Sequence, residues 1–293
     1  MIHGAFAGPE ALVQMKGQAT PAPKKPSSQE PAAIPDATYE VEARRPTAGR
    51  PFIKGVSVQD VQQGRIGDCY LMAALTSLAA KKPDQVMAMI TPHGKSERYS
   101  VRFFGTDGKV EWVSVTPDFQ FAVAWRQKAE DPPTPKAARQ LPQPTANYAQ
   151  PGADSNEREV EIWPMLIEKA YAAWAGKDYA GIEGGGADSV FRALTGRKAE
   201  QASISGDDAK AAETWANITT WLKQGRPVVA DCPYGEGQRH AFSVLSLTGK
   251  DWKSGTVVKK NPHHRAPDPP TPFKAFVKQF DTVHVGYLPG AAS

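Results

Sequence analysis

A chain of 293 residues is long enough for one large or two modest domains, each burying its own core. Its 35 Lys and Arg against 31 Asp and Glu leave a net charge of +4, with the basic residues scattered, which argues against a dedicated nucleic-acid or polyanion surface. Two cysteines, neither in a Cys-x-x-Cys pair, exclude a disulfide framework and argue against structural zinc; they suit a reducing compartment, with a single disulfide as the alternative.

The opening MIHGAFAGPEALVQMKG has no basic start followed by an apolar core, and no later stretch approaches the ~18 apolar residues of a membrane span. The expectation is a soluble protein, cytoplasmic or exported without a conventional signal peptide. Residues 17–50 are rich in Pro, Ala and charge and carry almost no large apolar side chain before Tyr39. Such a segment buries too little to offset its ordering entropy, so residues 1–50 read as a disordered Pro-rich leader.

QQGRIGDCYLMAALTSLAAKK, residues 62–82, places Cys69 after Gly67 and Asp68 at the head of an Ala/Leu helix that runs to Lys82, before Pro83. Asp68 is a cap candidate. A helix N-terminus lowers a thiol's pKa and so favours a nucleophile; on this segment's composition alone, a buried small hydrophobe is the favoured reading. ERYSVRFFG and KVEWVSVTPDF (97–119) alternate around TDGK and predict a hairpin. The Pro-rich composition returns at 130–157, which reads as a long surface insertion. EIWPMLIEKAYAAWAG predicts a helix stopped by Gly176, and DAKAAETWANITTWLKQG another, ended by Gly225. From Pro227 onward short β-rich segments follow. The pattern is α+β, with a division near residue 200: a helical part over 51–200 and a β-rich part over 201–293. Cys232, in VVADCPY, reads as a buried strand residue.

A catalytic thiolate needs a base, commonly an imidazole oriented by a third polar group. His3 lies in the leader, His93 in a turn, His263 and His264 in a loop, and His284 along a strand. His240 stands where the flexible GEGQRH opens into the strand AFSVLSL, at the lip of a sheet. Asn261, after TVVKK and before Pro262, is placed to accept its N–H and fix its tautomer. The plainer readings are a surface histidine and an Asn-Pro turn.

QGRIGDCYLMAALTSL resembles the active-site segment of calpain-type cysteine proteases, Gln-Gly-x-x-Gly-Asp-Cys-Trp followed by an Ala/Leu helix. IWPMLIEKAYAAWAGKDYAGIEGGGADSVFRALTG, RHAFSVLS, VVKKNP and FKAFVKQFDTVHVGYL are similar, in the family's order, to its remaining core blocks, from about residue 52 to 289. The resemblance implies a papain-like, two-lobed α+β core: a helical N-terminal lobe with Cys69 as nucleophile and a β-rich C-terminal lobe with His240 as general base and then acid and Asn261 orienting the ring. It also implies that Gln63 supplies a side-chain donor to the oxyanion hole alongside the Cys69 backbone N–H, and that the reaction is peptide-bond hydrolysis in protein or peptide substrates through a thioester.

Three departures stand out. Tyr70 replaces the usual Trp. His263 stands where a Trp would shield the His–Asn hydrogen bond, and the acidic loop that helps hold one of two calcium ions in animal calpains is missing. For the other calcium ion, the family positions fall on Gly55, Asp60 and Glu161; the plainer reading is solvated acids. No cofactor is required for the chemistry; Ca²⁺ would be an activator. There is no EF-hand loop. The altered NPHH loop leaves open a silenced, partner-binding domain, and the fold leaves open an amidase or transferase on non-peptide substrates. The leader could be a cleavable inhibitory segment or an export tether.

Overall fold

The computed structural model describes residues 30–33, 39–46, 48–94, 97–127, 132, 134–146, 148–156, 158–176, 178–235 and 237–288. After strands β1 (Tyr39–Arg44) and β2 (Gly49–Arg50), a long loop leads into helix α1 (Cys69–Lys81). Leu71, Met72, Leu75 and Leu78 of α1 are wholly buried on several sides, so this helix is the core of the molecule rather than an amphipathic surface element. Helix α2 (Pro83–Met87) and strand β3 (Ile90–Pro92) lead to the expected hairpin, β4 (Tyr99–Phe104) and β5 (Val110–Val115). Gly108 turns it with φ +75°, a conformation glycine adopts without steric cost.

Strand β6 (Phe119–Trp125), helix α3 (Lys136–Arg139), strand β7 (Gln140–Ala146) and the short β8 (Val160–Glu161) precede α4 (Trp163–Tyr171). A π-turn (Ala172–Gly176) and a 3₁₀ turn (Ala180–Ile182) then lead to α5 (Ala187–Thr195). Trp163, Leu166 and Ile167 of α4 and Val190 and Phe191 of α5 join α1 in one apolar core.

After β9 (Glu200–Ser203), α6 (Asp208–Lys223) is capped by Asp207, whose carboxylate accepts from the N–H groups of Ala209 and Lys210. Gly225 ends it at φ +72°. Strands β10 (Val228–Tyr234), β11 (Gln238–Thr248), β12 (Thr256–Lys260), β13 (Thr271–Pro272) and β14 (Thr282–Val285), with α7 (Phe273–Gln279) between the last two, complete the chain. They form a six-stranded antiparallel sheet in the order β13-β12-β11-β10-β14-β9. Its side chains alternate between two cores: Val228, Ala230 and Val244 pack with α6 and α7, whereas Val229 and Ala241 pack with the α1 core. The architecture is therefore α+β, a helical lobe against a β-rich lobe, and α1 makes most of the helical lobe's contact with the sheet. Ser77 Oγ donates to Val228 O at 2.7 Å and Ser243 Oγ to Ala73 O at 2.8 Å, stitching the helix to the strands.

Two expectations need correction. Residues 39–44, assigned to the disordered leader, form β1 and pair antiparallel with β6; partnering by a strand eighty residues away supplies order that local composition does not reveal. Glu30 is likewise fixed, accepting from the Thr116 N–H at 3.0 Å and pairing with Lys169 at 2.6 Å. Residues 1–29, 34–38 and 47 lie outside the described residues. The 130–157 segment is not simply a surface insertion. It contains β7, which extends β6, and Tyr148 and Ala149 are buried. The Tyr148 carbonyl passes so close to Gly64 that a Cβ there would fall 1.8 Å from it.

Candidate active site

Cys69 is the first residue of α1, half-buried, at the junction of the lobes. Its Sγ donates to the Arg239 carbonyl on β11 at 3.9 Å. Among the described residues no hydrogen bond joins Sγ to His240. Burial pushes the thiol up to about 11; the Ala241 N–H works against this, and the charges of Asp68 and Asp231 add to it. The positive dipole end of a helix by itself lowers a thiol's pKa. Here desolvation and two acids outweigh that dipole, and the thiol is the stable form.

His240, on β11, is buried, and its Nε2 lies 2.9 Å from Asn261 Oδ1, just past the end of β12. The His263 N–H donates to the same Oδ1 at 3.0 Å. A backbone N–H can only donate, so that atom is the carbonyl oxygen, and Nε2, which shares it, must carry the proton. Nδ1 is then left as the basic nitrogen. The ring stacks on His263, meets Phe242 edge-on at 4.9 Å and lies 5.5 Å from Tyr234.

Gln63 is buried; its backbone N–H donates to Pro262 O at 2.9 Å, and its side-chain Nε2 donates to Ile66 O at 2.7 Å. One amide hydrogen is thereby spent on its own loop, leaving the second. The same loop is clamped to the β-lobe: Gln62 Nε2 donates to His263 O at 3.1 Å, and the wholly buried Lys260 donates to Val61 O. Arg265 reaches Gln59 O and Pro151 O.

Asp68 does not act as a side-chain cap, contrary to expectation. It makes no cap hydrogen bond and is fully buried beside the carboxyl of Glu168, with neither of its oxygens hydrogen-bonded among the described residues. Both Glu168 oxygens accept from the Ala149 N–H at 2.9 Å. Two acids in a dry site cannot both ionise cheaply, and burial pushes Asp68 up to about 7 and Glu168 well above its usual range.

A second, largely buried acidic group lies where the loop before α1 meets the start of α4. Oxygens of Asp60, Asp154 and Glu161 lie within 4.8 Å of one another. The sequence pointed to Asp60 and Glu161; Asp154 was hidden in the Pro-rich stretch, where nothing local distinguishes it. Gly55 sits in the loop before Asp60 with φ +108°. Asp60 already accepts from the N–H groups of Ser57 and Ala153 and from Trp163 Nε1. Glu161 Oε1 accepts from Ile53 N at 2.9 Å, whereas its Oε2 is buried without a donor. Burial first, then Asp60 and Asp154, push Glu161 up to about 7. An orphaned buried oxygen among three acids is an arrangement that a hard cation would relieve.

Residues 32–257 match the family model described as calpain family cysteine protease. The chain is 25% identical over 213 residues to "Calpain-type cysteine protease ADL1" of Oryza sativa subsp. japonica, covering 68% of this chain and 9% of that protein. It is 28% identical over 248 residues to "Calpain-B" of Drosophila melanogaster, covering 80% of this chain and 24% of the relative. Against "Calpain-5" of Mus musculus it is 27% identical over 175 residues, covering 57% and 24%. The matched part of this chain thus spans from about a tenth to about a quarter of the length of these relatives. Among the described residues, no helix is long and apolar enough to cross a membrane.

Proposed function

The chain belongs to the calpain family of cysteine proteases, and from that premise we propose that it is a cysteine endopeptidase acting on proteins or peptides, with Cys69 as nucleophile. The observation that carries this reading is the His240 Nε2 to Asn261 Oδ1 hydrogen bond at 2.9 Å, which leaves Nδ1 as a base on the strand that faces the start of α1. In the reaction, Nδ1 takes the Cys69 proton as sulfur bonds to the scissile carbonyl carbon. The resulting oxyanion is held by the free amide hydrogen of Gln63 and by the Cys69 backbone N–H, which has no intrahelical acceptor in the first turn. The imidazolium then protonates the leaving amine as the C–N bond breaks, giving a thioester. Water, deprotonated by His240, attacks the thioester, and the thiol is restored.

For this cycle Cys69 must leave the Arg239 carbonyl and meet His240, so the present arrangement is a resting one. Ca²⁺ is the proposed activator, held by Asp60, Asp154 and Glu161; when bound it would supply charge neutralisation and order the loop leading to Gln63, with no part in bond-making. A second reading, a silenced domain that binds a partner, draws on the Cys69 to Arg239 contact. Incubation with unfolded proteins, with and without Ca²⁺, and mapping of new termini separates them. New termini that vanish in Cys69→Ala and His240→Ala support the peptidase; their absence under both conditions supports the silent domain.

A further inference from the structure

Beside the nucleophile's helix lies a cavity of about 380 Å³ walled by Tyr70, Phe104, Tyr171 and Trp174 and by the backbone of Gly184 and Gly185. It is tied to the catalytic turn by direct contacts. Tyr70 follows Cys69 and donates its hydroxyl to Ile182 O at 3.0 Å. Gly184 N donates to Gly67 O at 2.9 Å. A side chain at Gly185 would strike the Tyr70 ring, since a Cβ there would fall 2.5 Å from it. The exposed glycine strip therefore lies against the Gly67–Tyr70 turn. The cavity is thus one residue along the chain from Cys69, and an extended peptide, which advances about 3.3 Å per residue, is the kind of substrate whose side chains could reach from the scissile bond to it.

The cavity is aromatic, but one wall is charged. Arg192, half-buried on α5, lines it, and among the described residues its guanidinium has no hydrogen bond or ion pair. Asp188, one turn earlier on α5, is spaced for an ion pair, yet its carboxylate is turned against Gly186, where a Cβ would fall 2.4 Å from Oδ1. Glu111, behind Trp174, is engaged by the indole N–H at 2.6 Å. A guanidinium in a half-dry aromatic wall, with no protein carboxylate on it, matches a carboxylate in both charge and fork geometry. Aromatic faces accommodate the methylene stem of such a residue. An apolar occupant would desolvate the guanidinium without compensation, and a basic one would repel it.

We infer that this cavity is a specificity pocket for an acidic side chain, aspartate or glutamate, of the polypeptide substrate, and that Arg192 reads it. The inference rests on the peptidase reading above and deepens it.

The test is cleavage-site mapping on a proteome-derived peptide library by wild type, Arg192→Ala and Arg192→Glu. Wild type should favour Asp or Glu at one fixed position from the cut by about 10- to 100-fold, the range of a hydrogen bond to a charged group. Arg192→Ala should lose that preference. Arg192→Glu should replace it with Lys or Arg, a gain that misfolding cannot produce. Cleavage without acidic preference, or with the same preference in all three proteins, overturns the pocket and leaves the peptidase reading standing. Binding is read independently of turnover by NMR of the Arg192 Nε–H in Cys69→Ala protein, titrated with tetrapeptides that differ only in Glu or Gln. Selective shifts with the Glu peptide but no cleavage by wild type would keep the pocket and remove the peptidase reading. Equal responses to both peptides, or none, would overturn the pocket.

Discussion

The imidazole of His240 is stacked on that of His263, with ring centroids 5.1 Å apart and planes 12° from parallel. His263 occupies the place of the shielding indole in the family pattern, and unlike an indole it can charge. Burial first, then the neighbouring imidazoles of His240 and His264, hold its pKa below 6.5, so it is neutral at pH 7 and gains a proton only in more acid solution. A second cation then forms against His240 and disfavours the imidazolium that the reaction needs. His263→Trp should change kcat/KM little at pH 7 and raise it relative to wild type only in more acid solution, where His263 takes up its proton. A pH profile of both proteins checks this; superimposable acid limbs would count against it.

In the proposed reaction the second amide hydrogen of Gln63 serves the oxyanion, since the first is given to Ile66 O. Gln63→Ala removes that donor and should lower kcat by about 100- to 1,000-fold with a much smaller change in KM. The two constants, measured on a peptide cut by wild type, decide it; a loss confined to KM would remove Gln63 from the oxyanion hole.

The Asp68 and Glu168 pair predicts how stability depends on pH. Asp68 in the folded protein titrates near 7, and Glu168 too is raised by burial, whereas both titrate near 4 when unfolded. Between these values the folded state holds more protons than the unfolded one. Stability contributed here is therefore present below about pH 4 and is lost as pH rises towards 7. Glu168→Gln should flatten this fall, with a smaller drop in Tm between pH 5 and pH 8 than in wild type, as followed by calorimetry.

At the acidic trio, a cation must displace the proton from Glu161, which titrates near 7. Apparent Ca²⁺ affinity should therefore rise as pH increases up to about 7 and level off above it, with proton release visible as buffer-dependent heat in titration calorimetry. Asp154→Asn should weaken binding at every pH. No heat and no change in Tm at millimolar Ca²⁺ would remove the site.

Much of this was legible in the sequence where the signal was local. Helices α1, α4 and α6 followed from apolar spacing and from Pro and Gly stops, the β4–β5 hairpin from alternation around Asp107-Gly108, and the α+β layout from their order. The motif carried Cys69, His240 and Asn261 as candidates, and the structure joins the last two. Strand β1 was hidden because its order comes from pairing with β6 across the chain, and the buried Tyr148 and Ala149 because their Pro-rich surroundings resemble solvated loop. Asp68 read as a cap because spacing cannot tell whether a carboxylate turns to the helix N–H groups or inward to another acid. The elevated thiol was illegible for the same reason: burial and the charges of Asp68 and Asp231 are properties of the assembled lobes.

The central claim, that Cys69 is a nucleophile served by His240, is tested most directly by the pH dependence of alkylation at Cys69. It is followed by mass spectrometry with and without Ca²⁺, in wild type and His240→Ala. In the resting arrangement the thiol titrates near 11, so labelling without Ca²⁺ should be slow at neutral pH and accelerate only in strongly basic solution. With Ca²⁺, wild-type Cys69 should label rapidly near pH 6, and His240→Ala should not. Identical labelling of the two proteins at every pH, with and without Ca²⁺, would contradict the account.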